Sequence, residues 1–270
     1  MSKFQEKVDR PLSLLRRQMH RKVVRIAAAA ILQISIWGAG CAKAERLFFP
    51  MFTNEQLIEN LNQYAFAPFG SKTEGFLIKW KGGIRLGASK DGDIPPEITS
   101  FLSEELFALA KITHLNIQQK NDDANLLVVF TDNPQRDFPK YKSEMSKLYM
   151  DEISMAALYK NILDGELPCA GKIFVIPKKE IADYLFFVST QGQDQLKIKA
   201  CVLRELMRAF GLLHFEVPSP SAPTFAKDLE RSRGTAHALL AFLYRDDIPP
   251  GLSRSEVMKM LDATKENRPN

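Results

Sequence analysis

Residues 201–214 read CVLRELMRAFGLLH, and this stretch indicates the fold more directly than any other part of the chain. Its apolar residues recur every three or four positions, which is the spacing of a helix with one buried face. That face consists of Leu203, Leu206, Met207 and Phe210. We therefore predict a long helix over Gln193–Phe210. The charged residues of the segment fall on the other side of the helical wheel, where spacing alone favours a solvated polar face.

The polar positions of the same stretch match part of the zinc-binding motif HExxHxxGxxH. In that motif two His four residues apart share one helix face, a Gly turns the chain, and a third His completes the site. The five motif positions are occupied here by Arg204, Glu205, Arg208, Gly211 and His214. The general base, the turn and the third ligand therefore match, whereas both of the first two ligands are Arg.

The two Arg residues argue against a catalytic zinc site. A guanidinium has no lone pair to offer and stays protonated, so Arg204 and Arg208 would repel a divalent metal. Without a metal-bound water, Glu205 has nothing to activate. We expect no metal, no cofactor and no catalytic residue here. The Arg pair suits a carboxylate from the protein itself or from a bound peptide, and we favour an internal Asp or Glu because an unpaired Arg in a cleft is costly.

An active metal-dependent hydrolase or peptidase is the alternative, and it would need ligands from outside the motif. The best set that the sequence offers is Glu205 with His214 and His237. His114 is expected at the end of a helix and far in sequence from the other His residues.

The N-terminal segment resembles a secretory signal. Basic residues precede the apolar run 26–40, and Ala42 and Ala44 stand three and one places before a predicted cut at Glu45. A run of this length is short for a spanning helix, which needs about 20 residues. We predict a signal peptide over 1–44 and a single domain over 45–270, exported to the periplasm or cell envelope. An uncleaved anchor or a buried helix is the alternative.

Two further interpretations of this segment remain open. Met19 would give a signal of ordinary length if translation began there, and we expect it to be the initiator. Gly38-Ala39-Gly40-Cys41 is similar to a lipobox, but Gly38 stands where Leu is usual. A lipid anchor at Cys41 is therefore the less favoured outcome, behind cleavage after Ala44. Contact with a membrane is expected through this segment alone.

Charge argues against a nucleic-acid-binding function. The chain has a net charge of +5, but residues 1–44 hold 9 Lys and Arg against 2 Asp and Glu. Residues 45–270 keep 28 basic and 30 acidic residues, which leaves this part nearly neutral. The electrostatic support that a nucleic-acid interface needs is thus absent from the expected domain.

Cleavage after Ala44 would leave two cysteines, Cys169 and Cys201. An even pair in an exported domain is a disulfide candidate, and closing this loop stabilises a fold by ~3–4 kcal/mol in the chain-entropy model. Two buried free thiols are the alternative. We favour the disulfide bond.

Helices and strands are mixed along residues 45–270 without strict alternation, which predicts an α+β fold. The predicted helices cover 53–64, 96–112, two short segments within 140–163, 193–210, 235–244 and 253–262. The predicted strands cover 76–80, 84–86, 116–117, 125–131, 172–176 and 184–189. Residues 125–131, NLLVVFT, form an apolar run typical of a central strand.

Three segments together resemble a known family: Cys169 before Gly171, the stretch 201–214, and TAHALLAFLYRDDIPPGLSRSEV at 235–257. They resemble secreted bacterial proteins catalogued as a domain of unknown function, a family that looks like a degenerate relative of the zincin metallopeptidases. The resemblance covers roughly Phe76 to Leu261. It implies a zincin-like mixed sheet, a backing helix at Pro96–Ile112, a former active-site helix and a C-terminal helix pair.

The expected function is therefore non-catalytic. The resemblance and the Arg substitutions together suggest an exported pseudo-metallopeptidase that acts as a binding or scaffold protein of the cell envelope. Its partner would be a protein or peptide of the envelope, whose identity the sequence does not give.

Overall fold

The computed structural model describes residues 52–67, 75–92, 94–147, 150–164 and 167–266. The predicted signal segment, its cleavage site, and the alternatives at Met19 and Cys41 lie outside these residues. No helix within them is both long and apolar enough to cross a membrane.

The described residues form seven α-helices and seven β-strands. The helices are α1 Asn54–Tyr64, α2 Pro96–Thr113, α3 Pro134–Lys147, α4 Glu152–Asp164, α5 Gln195–Ala209, α6 Phe225–Leu243 and α7 Arg254–Glu266. The strands are β1 Phe66–Ala67, β2 Phe76–Leu77, β3 Ile84–Asp91, β4 Ile117–Gln119, β5 Leu126–Thr131, β6 Cys169–Val175 and β7 Ile181–Ser189.

Five of the strands form one mixed sheet in the order β4-β3-β5-β7-β6. Strands β4, β3, β5 and β7 run parallel to one another, and β6 pairs with β7 at the edge as an antiparallel strand. The apolar strand β5 lies in the centre of this sheet, as its sequence predicts. The irregular order of helices and strands and the mixed sheet agree with the predicted α+β class.

Helices cover both faces of the sheet. Successive residues of a buried strand point to opposite sides, so β5 contributes to an apolar cluster on each face. On one side Val128 and Phe130 of β5 join the larger apolar cluster, which includes α2, α5 and α6. On the other side Val129 joins a smaller cluster that contains Phe138 of α3 and Met155 of α4. Helices α2 and α5 therefore lie on the same face of the sheet.

Local signals placed several helices correctly. Helix α1 begins after Thr53, whose hydroxyl accepts a hydrogen bond from the Gln56 backbone N–H at 3.2 Å. The Gln56 side chain accepts in return from the Thr53 N–H at 3.0 Å, which completes the predicted capping box. Helix α2 has Pro96 in its first turn, where the missing N–H costs nothing.

Other boundaries differ from prediction. Helix α6 begins at Phe225, ten residues before the predicted start at Thr235. Its first half is largely polar, so the helical apolar repeat is weak there, yet Phe225 and Leu229 are buried one turn apart. Helix α3 begins at Pro134 rather than within 140–163, and β6 and β7 each begin three residues earlier than predicted.

Candidate functional site

Helix α5 is the element that places the motif residues. Its N-cap is Asp194, whose carboxylate accepts from the Leu196 N–H at 2.7 Å. The predicted apolar face is confirmed, since its four residues are fully buried: Leu203, Leu206, Met207 and Phe210. This burial fixes the rotation of the helix and so the direction of its polar residues.

Glu205 is fully buried, which makes the solvated-face interpretation wrong for this residue. Tyr184 of β7 donates its hydroxyl to Glu205 Oε2 at 2.8 Å. Arg204 Nε donates to Glu205 Oε1 at 3.1 Å, and Arg208 Nη1 lies 3.5 Å from the same oxygen. A buried carboxylate is tolerated because it is paired and hydrogen-bonded in this way.

The two Arg side chains are anchored by backbone carbonyls as well. Arg204 Nη2 donates to the Cys169 carbonyl at 2.9 Å, and Arg208 Nε donates to the Phe215 carbonyl at 3.1 Å. Their remaining charge faces Glu216, which contacts Arg208 directly and lies 3.9 Å from Arg204 Nη1. The Arg pair therefore has internal carboxylate partners, as the cost of an unpaired guanidinium led us to expect.

Gly171 of β6 allows the sheet to approach this carboxylate. A Cβ atom at this position would lie 2.3 Å from Glu205 Oε2 and 2.6 Å from Tyr184 Oη. Both distances are far below van der Waals contact, so any side chain here would displace the buried pair. The absence of a side chain at Gly171 is thus part of the site.

Gly211 makes the turn after α5. Its φ is +109°, a value that favours glycine, and a Cβ there would lie 2.3 Å from the Ile78 carbonyl oxygen. Two buried side chains donate hydrogen bonds to carbonyl groups at the end of the helix. Trp80 Nε1 donates to the Ala209 carbonyl at 2.7 Å, and Tyr244 Oη donates to the Phe210 carbonyl at 3.0 Å.

The predicted disulfide bond is confirmed. Cys169 at the start of β6 is bonded to Cys201 in α5, with their Cα atoms 5.8 Å apart. Arg204 Nη2, which binds the Cys169 carbonyl, also lies 3.5 Å from Cys169 Sγ. A covalent bond and a charged hydrogen bond therefore join the same helix to the same edge strand.

The alternative metal set does not come together. His214 is exposed in the turn after α5, and its backbone N–H donates to the Tyr64 carbonyl at 3.0 Å. His237 is buried on α6, where Nε2 lies 3.1 Å from Glu105 Oε2. Within the described residues, no three His, Cys, Asp or Glu side chains form a group that could hold a metal ion. His114, as predicted, lies at a helix end, the C-cap of α2.

A sequence profile described as Protein of unknown function (DUF2927) matches residues 54–263. The chain belongs to this family. The match confirms the resemblance to a domain of unknown function, and it begins with α1 and ends within α7. No curated protein and no solved structure matches the chain.

Burial controls the protonation of Tyr184, which lies in the part of the chain matched to this family. Tyr184 has a pKa well above its ordinary value, first because the hydroxyl is buried and second because the negative charge of Glu205 opposes a phenolate. The hydroxyl therefore remains a hydrogen-bond donor to Glu205 at neutral pH. The site thus combines one buried carboxylate with one neutral and two cationic donors.

Sequence reasoning did not identify three members of this site: Tyr184, Glu216 and Gly171, the last of which was noted only as part of the family resemblance. Tyr184 was assigned to a strand, but nothing local shows that its hydroxyl meets a carboxylate on another element.

Sequence reasoning also missed a second buried ionisable cluster, around Glu105. Glu105 of α2 is fully buried, and it contacts both His237 and Arg233 Nη2, the latter at 2.5 Å. Helical spacing does place Glu105 one turn before the buried Leu109, a weak sign of its burial.

Proposed function

We propose that this protein is an exported, non-catalytic domain related to the zincin metallopeptidases, and that it acts as a binding or scaffold protein of the cell envelope. The observation that carries the proposal is the state of Glu205. The residue at the position of the catalytic base is buried, and its oxygens are held by Tyr184 and Arg204.

The hydrogen bonds of Glu205 argue against a general base. A base must reach the proton that it abstracts, directly or through one water, and must be free to accept it. Glu205 Oε2 accepts from the Tyr184 hydroxyl, and Oε1 accepts from Arg204 Nε with Arg208 Nη1 3.5 Å away, so both carboxylate oxygens are engaged within the chain. This arrangement holds the helix to the sheet, and it does not present a carboxylate to a substrate.

The zincin relationship is supported by the arrangement around α5. The helix lies on the same sheet face as α2, the Gly211 turn follows it, and His214 comes directly after that turn. Because a fold does not imply a function, we take the relationship as one of ancestry. In this proposal the Arg–Glu network replaces a metal as the link between helix and sheet.

Export is supported by two independent features of the chain. The order of basic, apolar and small residues in 1–44 is that of a secretory signal. Cys169 and Cys201 are paired, and structural disulfides persist mainly in oxidising compartments. The partner is then a protein or peptide of the cell envelope.

The test uses the full chain expressed in a bacterium with a periplasm. We expect the protein in the periplasmic fraction, with an N-terminus near Glu45, and with zinc far below about one atom per chain, the content of an occupied catalytic site. About one zinc per chain would overturn the non-catalytic proposal. A retained signal or a lipid on Cys41 would overturn cleavage before Glu45.

Binding is tested by capture of partners from envelope extract on the immobilised mature chain. A partner that is retained by the native protein, and lost after the disulfide is reduced and the chain unfolded, supports a binding or scaffold role. Failure to retain any envelope component across independent extracts would count against that role.

A further inference from the structure

We propose that Arg204 and Arg208 form an exchangeable carboxylate site, in which Glu216 of the chain itself is the resident occupant and a carboxylate of the partner takes its place. This inference rests on the proposed function, because it names the chemistry by which a non-catalytic domain would hold a partner.

The inner nitrogens of the two guanidinium groups are fixed by groups other than Glu216. Arg204 uses Nε for Glu205 and Nη2 for the Cys169 carbonyl. Arg208 uses Nε for the Phe215 carbonyl, and its Nη1 faces Glu205. Both groups therefore stay in position when Glu216 leaves, so a new carboxylate meets donors that are already oriented.

The outer nitrogens converge on one carboxylate. Arg208 Nη2 contacts Glu216 Oε1, and Arg204 Nη1 lies 3.9 Å from Glu216 Oε2. The Arg side chains are 16% and 25% exposed, whereas the Glu216 side chain is 61% exposed. The donors thus belong to the packed body, and the acceptor is a solvated side chain in the segment that follows α5. Ion pairs of such solvated groups are weak and easily exchanged.

Charge explains why the site takes an anion. Arg204 and Arg208 bring two positive charges, and Glu205 compensates one of them. The second is compensated by Glu216, so a carboxylate that replaces Glu216 keeps the same balance and leaves no additional charge unpaired. A planar carboxylate also matches the geometry of guanidinium donors better than a spherical anion such as chloride.

The test compares the full chain with its E216Q variant, which vacates the site and retains the size of the side chain. Sodium acetate is the probe in titration calorimetry, with sodium chloride at equal ionic strength as the reference. If Glu216 occupies the site for about nine-tenths of the time, its removal tightens acetate binding by about tenfold. The E216Q/R208Q variant should lose this binding, and thermal melting of each variant verifies that it is folded.

E230Q is the matched control, because Glu230 is a carboxylate with 67% side-chain exposure that pairs with Arg233 within α6, away from Arg204 and Arg208. It changes the charge of the chain equally and should leave acetate binding as it is in the native protein. Equal acetate affinity in E216Q and the native chain would overturn the proposal, as would undiminished binding in folded E216Q/R208Q.

A second arm identifies the source of the carboxylate. Trialanine with a free C-terminal carboxylate is compared with trialanine amide on E216Q. Tighter binding of the free peptide than of acetate assigns the site to a peptide terminus, and equal binding assigns it to any small carboxylate; both results support the site. A metal-free E216Q that binds neither probe overturns the site alone, whereas zinc in the native chain overturns the proposed function.

Discussion

The Tyr184 hydroxyl donates a 2.8 Å hydrogen bond to the Glu205 carboxylate, and both side chains are buried where strand β7 meets helix α5. The bond connects two residues that are 21 positions apart in the sequence and lie on different elements. Glu205, which matches the Glu position of the zinc motif, is thus part of the packing between helix and sheet.

Removal of this hydroxyl should destabilise the protein. In Y184F the buried Glu205 carboxylate loses a donor, and leaving a buried acceptor short of a partner costs about 1–3 kcal/mol. Urea unfolding followed by circular dichroism measures the change. Y159F is the matched control, because Tyr159 packs on the ring of Phe138 in the other apolar cluster. Equal losses in the two variants would contradict the importance of the Tyr184–Glu205 bond.

The contribution of Tyr184 should also depend on pH. Its folded pKa is raised above the ordinary value of 10.0 by burial and by the charge of Glu205. The stability linked to this group is therefore fully present below about pH 10, and it is lost as the pH rises from there towards the folded pKa. The advantage of the native protein over Y184F should shrink above about pH 10 in unfolding experiments. A difference that stays constant to about pH 11 would contradict the assigned direction.

Arg204 should contribute more to stability than an exposed Arg does. R204A removes the 3.1 Å bond to the buried Glu205, and breaking one side of a buried pair costs about 3–5 kcal/mol. R231A is the control, because Arg231 is 69% exposed and should contribute less than about 1 kcal/mol. The free energy of unfolding of each variant gives the comparison.

The double variant R204A/E205Q refines this prediction. It also removes the Glu205 charge, which R204A leaves without its closest partner. The double variant should therefore lose less free energy of unfolding than the sum of the losses in R204A and E205Q. Strict additivity would mean that Arg204 and Glu205 do not interact energetically, against the geometry of the pair.

The disulfide bond should contribute a large part of the free energy of unfolding. The bond closes a loop with a sequence separation of 32 residues, which corresponds to ~3–4 kcal/mol in the chain-entropy model. C169A/C201A, or reduction of the native protein, should therefore lower the midpoint of thermal unfolding. Alkylation of both thiols in the denatured, unreduced protein would show that the bond is absent in solution.

Restoring the zinc motif tests the proposed ancestry. R204H/R208H places His at both vacant ligand positions, with Glu205, Gly211 and His214 already present. If the backbone is zincin-like, the folded double variant should bind about one zinc per chain, whereas R204H alone should bind far less. A double variant that folds and binds no zinc would indicate that His214 does not face the helix, and the motif match would then be a coincidence of spacing.

Local patterns in the sequence determined the course of α5 and one of its faces. The three-to-four-residue repeat of apolar side chains is a property of the segment itself, and all four predicted residues are buried. The capping box at Thr53 and Gln56 is equally local, since both partners lie within one turn. The pairing of Cys169 with Cys201 was predictable by count once Cys41 is assigned to the predicted signal segment, because the two cysteines that remain allow one disulfide.

The tertiary structure alone decided what lies against the other face of α5. A helical wheel shows which residues share a side, but not which element covers that side. Here β6 approaches through Gly171, and β7 contributes Tyr184, so a charged position that looked solvated became buried. Whether Glu205 is a base, a surface charge or a structural partner therefore depended on contacts between residues far apart in sequence, which no periodicity within one segment can contain.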